Sequence, residues 1–307
     1  MKELLTPKQV ARAIGVSESS VKRWCDRGII TTERTAGGHR RLRVNSVLSF
    51  LRENGHQIVH PEILGLPAST GQTEWTIDRA RNALRDALMA GDEQVCRQIV
   101  MDVLLSPQSV SLICDQVIAG AFVDIGDLWN CGQLEIYQER RACEISILIL
   151  HELRRAVVIP QENRPTAIGA SLDGDQYSLP LIMSELVLRD CGWNASSLGN
   201  GLPFSTLRTA VEQTQPKILW VCVSWIRDEA TFITNMLELY DVTKNNGAAF
   251  VIGGRVLVES IRKQIKYTTH CDTMGQLEDF ARTLGAAYLG SSNVDPAKQN
   301  PTAPIVG

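Results

Sequence analysis

A chain of 307 residues has room for two or three domains and for a core that needs no metal or disulfide staple. At 44% hydrophobic and 21% charged it reads as globular; its longest apolar runs, Ile145 to Leu150 and Ile218 to Val223, fall far short of the ~20 residues of a membrane helix, and Met1 to Val10 has no signal-peptide core, so the expectation is a cytoplasmic protein with no membrane partner. The net charge of −3 hides a split: residues 1–60 hold eleven Lys and Arg against five Asp and Glu, a balance of +6, while the rest holds 20 basic and 29 acidic residues, a balance of −9, so the front end is the part that suits a polyanion.

Leu5 to Ser17 reads as a capped helix, with Thr6 at the N-cap, Pro7 at the first helical position and Gly15 just past the end. Ser17 caps a second helix, Glu18 to Arg27, which Gly28 stops. Two short helices joined by a glycine turn make a helix-turn-helix, and the second would enter the major groove with Ser19, Ser20, Lys22 and Arg23 near base edges or phosphates. Trp24 is expected in the core. The run Thr35 to Leu42 then makes a glycine hairpin carrying His39, Arg40 and Arg41, a suitable wing for the phosphate backbone. This head spans 1–54, and 55–75, with Pro61, Gly65, Pro67 and Gly71, reads as a tether.

From 76 to 160 apolar residues recur at helical steps, as in Ala80, Ala83, Leu84, Ala87 and Leu88, with breaks at Gly91-Asp92 and Ser106-Pro107; a four-helix bundle is the simplest packing. Over 161–290 short β-type runs at 166–171, 195–198, 217–224 and 248–252 alternate with helical segments at 180–191, 204–213, 228–246 and 256–265, the rhythm of a Rossmann-like parallel sheet with crossover helices. Residues 291–307 are polar and read as a disordered tail. The fold class expected is thus multidomain, α followed by α/β.

Two resemblances sharpen this reading. Leu5 to Leu51, with Gly37-Gly38-His39-Arg40-Arg41 ahead of Leu42, resembles the winged-helix DNA-binding domain of the MerR family. Gly126-Asp127-Leu128-Trp129, Glu139-Arg140 ten residues on, and Asp173-Gly174-Asp175-Gln176-Tyr177-Ser178-Leu179-Pro180 together resemble the cobalamin-binding module of methionine synthase and, behind a MerR-type head, the light-responsive adenosylcobalamin-dependent repressors. Gly199-x-x-x-Pro203, Val223-Ser224 and Ile252-Gly253-Gly254 follow in the same order. The resemblance implies an operator-binding regulator that forms homo-oligomers, with Trp129, Glu139 and Arg140 above a corrin and Asp175, Tyr177, Ser224, Gly253 and Gly254 below it.

The departures bear on chemistry. Tyr177 stands where that family has its cobalt-ligating His, Pro180 where it has Gly, and Arg140 where the cap has His. A phenol must lose a proton that neutral imidazole need not, so the usual ligation is not available. The chain has five His; His151 and His270, the two outside the head and tether, are read as structural. Eight Cys, spread singly, form no C-x-x-C pair and read as buried apolar residues. Three outcomes stay open: cobalamin retaining its own base or taking Tyr177 as an oxygen ligand; a heme or linear tetrapyrrole, with Arg140 on a propionate and Tyr177 on iron; or no ligand, with control by oligomerisation or a protein partner. No nucleophile–base set is evident and Gly253-Gly254 is not G-x-G-x-x-G, so no enzyme is expected; the alternative reading is a corrinoid carrier or methyl-transfer protein.

Overall fold

The computed structural model of the chain describes residues 4–157 and 164–291. The tail expected over 291–307 lies outside these residues apart from Ser291, where the last helix ends.

The head forms as its caps dictate. Strand β1 (Leu4–Leu5) leads into α1 (Pro7–Ala13), where Thr6 and Gln9 make a reciprocal capping box, and α2 (Glu18–Asp26) starts at Ser17, whose hydroxyl accepts from Ser20 N. Strands β2 (Thr32–Arg34) and β3 (Arg40–Arg43) pair antiparallel around the glycine turn, β1 adds to the other edge of β3, and α3 (Val44–Asn54) closes the head.

The segment read as a tether is an ordered strap, which corrects that expectation. Val59 N and His60 N both donate to Ala13 O, at 2.8 and 3.0 Å, a 3-10 turn runs over Pro61–Leu64, and Leu64, Leu66 and Thr70 are buried. Its far end is fixed by Asp102, whose carboxylate accepts from Gly71 N at 2.8 Å and Trp75 Nε1 at 3.0 Å. Pro and Gly set turns here as they would in a free linker; what makes the segment rigid is burial of isolated Leu residues, which no periodicity marks.

Four helical arms form the bundle: α4 (Ile77–Ala90), α5 (Glu93–Leu105), a continuous arm of α6 (Val110–Leu112), a π-helical stretch (Ile113–Ala119) and α7 (Gly120–Asn130), and α8 (Ile136–Ala156). The Arg81 guanidinium grips Asp124 across α4 and α7, with Nε at 2.8 Å.

The last domain is a parallel sheet of order β5-β4-β6-β7-β8, built from β4 (Thr166–Ser171), β5 (Asn194–Ser197), β6 (Ile218–Cys222), β7 (Ala249–Gly253) and β8 (Thr269–His270). Crossovers run through α9 (Leu179–Asp190), α10 (Phe204–Thr214), α11 (Glu229–Asn245) and α12 (Glu259–Arg262), and α13 (Met274–Ser291) follows β8. All five residues of β6 are buried, as a strand covered on both faces requires. Leu219 and Val221 face the core under α10 and α11; Trp220 and Cys222 face the core shared with the bundle and head. Trp220 lies so close across β4 that a Cβ on Gly169 would meet its ring at 2.1 Å.

The head is docked on this body. Arg52 on α3 pairs with Asp190 at the end of α9, at 3.2 Å, and reaches the carbonyl of Gln108 in the bundle at 3.4 Å.

Candidate functional site: a cationic groove and an overhung sheet edge

At the head, a groove of about 400 Å³ opens between the helices and the wing, lined by Lys8, Lys22, Arg34, His39, Arg40 and Arg41 among others. Only Val21 of α2 is buried, so Ser19, Lys22 and Arg23 stand exposed and Ser20 half-buried, with the hydroxyls of Ser19 and Ser20 2.8 and 2.9 Å from Ser17 Oγ. Trp24 is half-buried, packed on Phe50 with ring centroids 4.8 Å apart against the core of the head. The cations are not equally free. Lys22 pairs with Glu18 at 2.8 Å, and Arg40 reaches back to Asp26 on α2, which locks the wing to that helix. Arg34 and Arg41 have no carboxylate partner among the described residues. Lys8, on α1, and Arg34, on β2, were missed in the sequence; for Arg34 the available signal was its place opposite Arg40 on the paired wing strands.

The second locus is built at the C-terminal edge of the sheet, where loops of a parallel α/β sheet meet ligands. Asp175 is its keystone. Fully buried, its carboxylate accepts from Tyr177 N at 3.0 Å and from Ser224 N at 2.5 Å, tying the loop after β4 to the loop after β6 by two charge-assisted bonds. The Trp225 ring lies on Gly174, where a Cβ would meet it at 2.3 Å. Arg255, from the loop after β7, reaches over β6 to sit 5.4 Å from the Tyr177 ring centroid, and Arg227 sits 5.6 Å from Trp225. Ser224 is itself buried and contributes its backbone to this clasp. Gly253 and Gly254 serve close backbone approach: a Cβ would meet Cys271 O at 2.7 Å and Val223 O at 2.0 Å, and Gly254 has φ +129°.

The bundle overhangs this edge. The Asp115 carboxylate accepts from Met274 N and Gly275 N, at 2.8 and 2.9 Å, and so caps α13 where that helix leaves the sheet edge. Beyond the π-helical stretch, the nine steps of α7 from Gly120 to Trp129 add about 14 Å at ~1.5 Å per residue. Arg154 on α8 bonds Glu185 on α9 at 3.3 Å; from that level α8 extends roughly 18 Å further than α9 by the same rise. Glu139 and Arg140 sit near the upper end of α8, 3.6 Å apart, with Arg140 mostly exposed and Glu139 accepting from Cys143 Sγ.

Large apolar side chains are left in water on both sides of this step. Trp129, Ile136 and Tyr137 are 48, 60 and 65% exposed at the top of the bundle, and Tyr177, Leu198, Trp225 and Val258 lie 37 to 52% exposed in the loops after β4, β5, β6 and β7. The structure thus brings Asp175, Tyr177, Ser224, Gly253 and Gly254 to one edge and sets Trp129, Glu139 and Arg140 on the arms above it. Trp225, Arg227 and Arg255 were missed; an aromatic residue and an arginine just past an apolar strand were the only trace. His151 lies some 18 Å down α8 from Glu139, its Nδ1 buried, and His270 is at the far sheet edge beside Asp272. Among the described residues no group of three or more His, Cys, Asp or Glu is placed to hold a metal ion.

Family models match two stretches of the chain. Residues 4–55 match a helix-turn-helix domain and residues 80–153 a B12 binding domain. The chain is 25% identical over 246 residues to the HTH-type transcriptional repressor CarH of Myxococcus xanthus, covering 75% of this chain and 82% of that protein, and 25% identical over 235 residues to CarA of the same organism, covering 73% and 77%. The monomethylamine corrinoid protein of Methanosarcina barkeri shares the fold, with TM-score 0.56 at 12% identity over 68% of this chain and all of that one. The chain therefore joins a helix-turn-helix domain at its front to a B12 binding domain behind it.

Proposed function

We propose that the chain is a DNA-binding transcription regulator whose B12 binding domain senses a corrinoid held between the overhanging bundle and the sheet edge. The observation that carries this is the set of large apolar side chains left exposed on the arms of the bundle, Trp129, Ile136 and Tyr137, and in the loops at the sheet edge, Tyr177, Leu198, Trp225 and Val258, which a broad planar molecule would cover.

The donor set decides which corrinoid state fits. The loop after β4 offers Tyr177 in place of an imidazole; His151 lies well down α8, and His270 ends the outermost strand β8, with β6 and β7 between it and β4, so the residues fit a macrocycle that brings its own lower base and do not fit ligation by a protein histidine. Trp129 would cover the upper face, and Glu139 and Arg140 would meet its rim.

Control follows from the docking of the head. Arg52 touches both the bundle and α9, so a ligand that shifts bundle against sheet acts on the surface to which the head is fixed. Linking several heads through homo-oligomers would multiply affinity for an operator with repeated half-sites. Both relatives are repressors, and repression is the sense we adopt. The test is to purify the chain from cells grown with cobalamin and record its visible spectrum after gel filtration. A retained corrinoid band is expected; protein that stays colourless and takes up no added corrinoid overturns the proposal.

A further inference from the structure

One face of α2 points away from the core of the head. Ser19, Lys22, Arg23 and Asp26, at steps of three and four residues, are exposed there, opposite buried Val21. A carboxylate is out of place on a surface that meets phosphates, since it repels a polyanion, and Asp26 lies beside Lys22 and Arg23 on the helix that enters the groove. Its partner accounts for it. Lys22 bonds Glu18 at 2.8 Å, whereas Asp26 takes Arg40 at the start of β3. The strand register sets Arg40 directly across from Arg34 on β2, two like charges that repel where the wing turns. Among the described residues, no other side-chain hydrogen bond or ion pair joins α2 to the two wing strands. Asp26 is 58% and Arg40 25% exposed, and an ion pair that open to water adds little to folding stability.

We infer that Asp26 is a positioning residue for sequence discrimination: it holds Arg40, and with it the wing, in a fixed relation to the recognition helix. The inference rests on the DNA-binding reading above and deepens it. Phosphate contacts from the wing set the register of the head on the duplex, and Ser19 and Arg23 read base edges only in that register. Asp26 therefore lowers affinity for duplexes in general, by its charge and by occupying Arg40, and raises the preference for one sequence.

The experiment uses the full chain and two duplexes, one selected from a random library and its scrambled counterpart, titrated by fluorescence anisotropy over a salt series. D26N frees Arg40 for a phosphate, so it should tighten binding to the scrambled duplex and steepen the salt slope by about 0.9. Its preference for the selected duplex should nevertheless fall at least about fivefold. R40A should lose the same preference without the steeper slope, the double variant should lose no more than either single one, and D26E should retain most of the preference. If D26N tightens both duplexes alike and keeps the preference, Asp26 only repels phosphate and the inference falls. If D26N loses preference at a single base pair while R40A keeps it, Asp26 reads that base itself and the positioning role is overturned. A drop in thermal midpoint that tracks the lost preference across D26N and R40A overturns it in favour of a folding role. A parent chain that prefers no selected duplex over its scrambled counterpart overturns the regulator reading, and this inference with it.

Discussion

Replacing Asp175 tests how the ligand-facing edge is built. Its carboxylate is fully buried and holds two backbone donors, Tyr177 N at 3.0 Å and Ser224 N at 2.5 Å. Asn at this position keeps one carbonyl oxygen, so one donor retains an acceptor and the other faces an amide NH2. A hydrogen bond to a charged group contributes ~1.5–3 kcal/mol, and a stranded buried donor costs ~1–3 kcal/mol, so D175N should destabilise the α/β domain by about 2–4 kcal/mol and D175A, which strands both donors, by more. Urea unfolding followed by tryptophan fluorescence reads this directly, since Trp193 and Trp220 are buried in that domain. The same variants should lose cobalamin, because the loops bearing Tyr177 and Trp225 are no longer held together. Shifts below about 0.5 kcal/mol in both variants, with binding intact, would refute the reasoning, since surface-like tolerance is incompatible with a buried clasp.

Three further outcomes are expected. R34A and R41A, which remove cations with no carboxylate partner among the described residues, should each lower the salt slope of DNA binding by ~0.9, an approximately threefold relative change between ~50 and ~200 mM salt, while R40A should change it less because Arg40 is committed to Asp26; a salt-series titration checks this. G169A should cost about 1–3 kcal/mol or more, because its Cβ would lie 2.1 Å from the Trp220 ring; an unchanged melting temperature would contradict the packing. The Arg81 guanidinium holds the Asp124 carboxyl below its ordinary value of 3.8, so the stabilisation from this pair is present above that pH and disappears as pH falls through the lower folded value; D124N should remove that part of the acid dependence in a series of melts from neutral pH downward.

The head was legible because its signals are local. Thr6, Ser17 and Gly28 mark helix ends whatever surrounds them, and the glycine wing carries its own turn chemistry. The alternation of strands and helices was legible for the same reason, but β8, two residues long, and α13 behind it left no comparable rhythm. The strap was misread because Leu64 and Leu66 are buried by tertiary contact alone. At the ligand-facing edge, Asp175 and Tyr177 could be found by motif, whereas the roles of Arg255 and Asp115 depend on chain segments that meet only after folding. The π-helical stretch around Asp115 has no sequence signature either, yet its carboxylate sets the height of the bundle over the sheet.

The central claim is that occupancy of the overhung edge alters the grip of the head on DNA. A duplex selected from a random library, titrated with the full chain by fluorescence anisotropy with and without saturating cobalamin, measures that coupling. The account predicts at least a fivefold change in affinity, about 1 kcal/mol of coupling. Identical affinities, with full corrinoid occupancy visible in the absorbance spectrum, would contradict it.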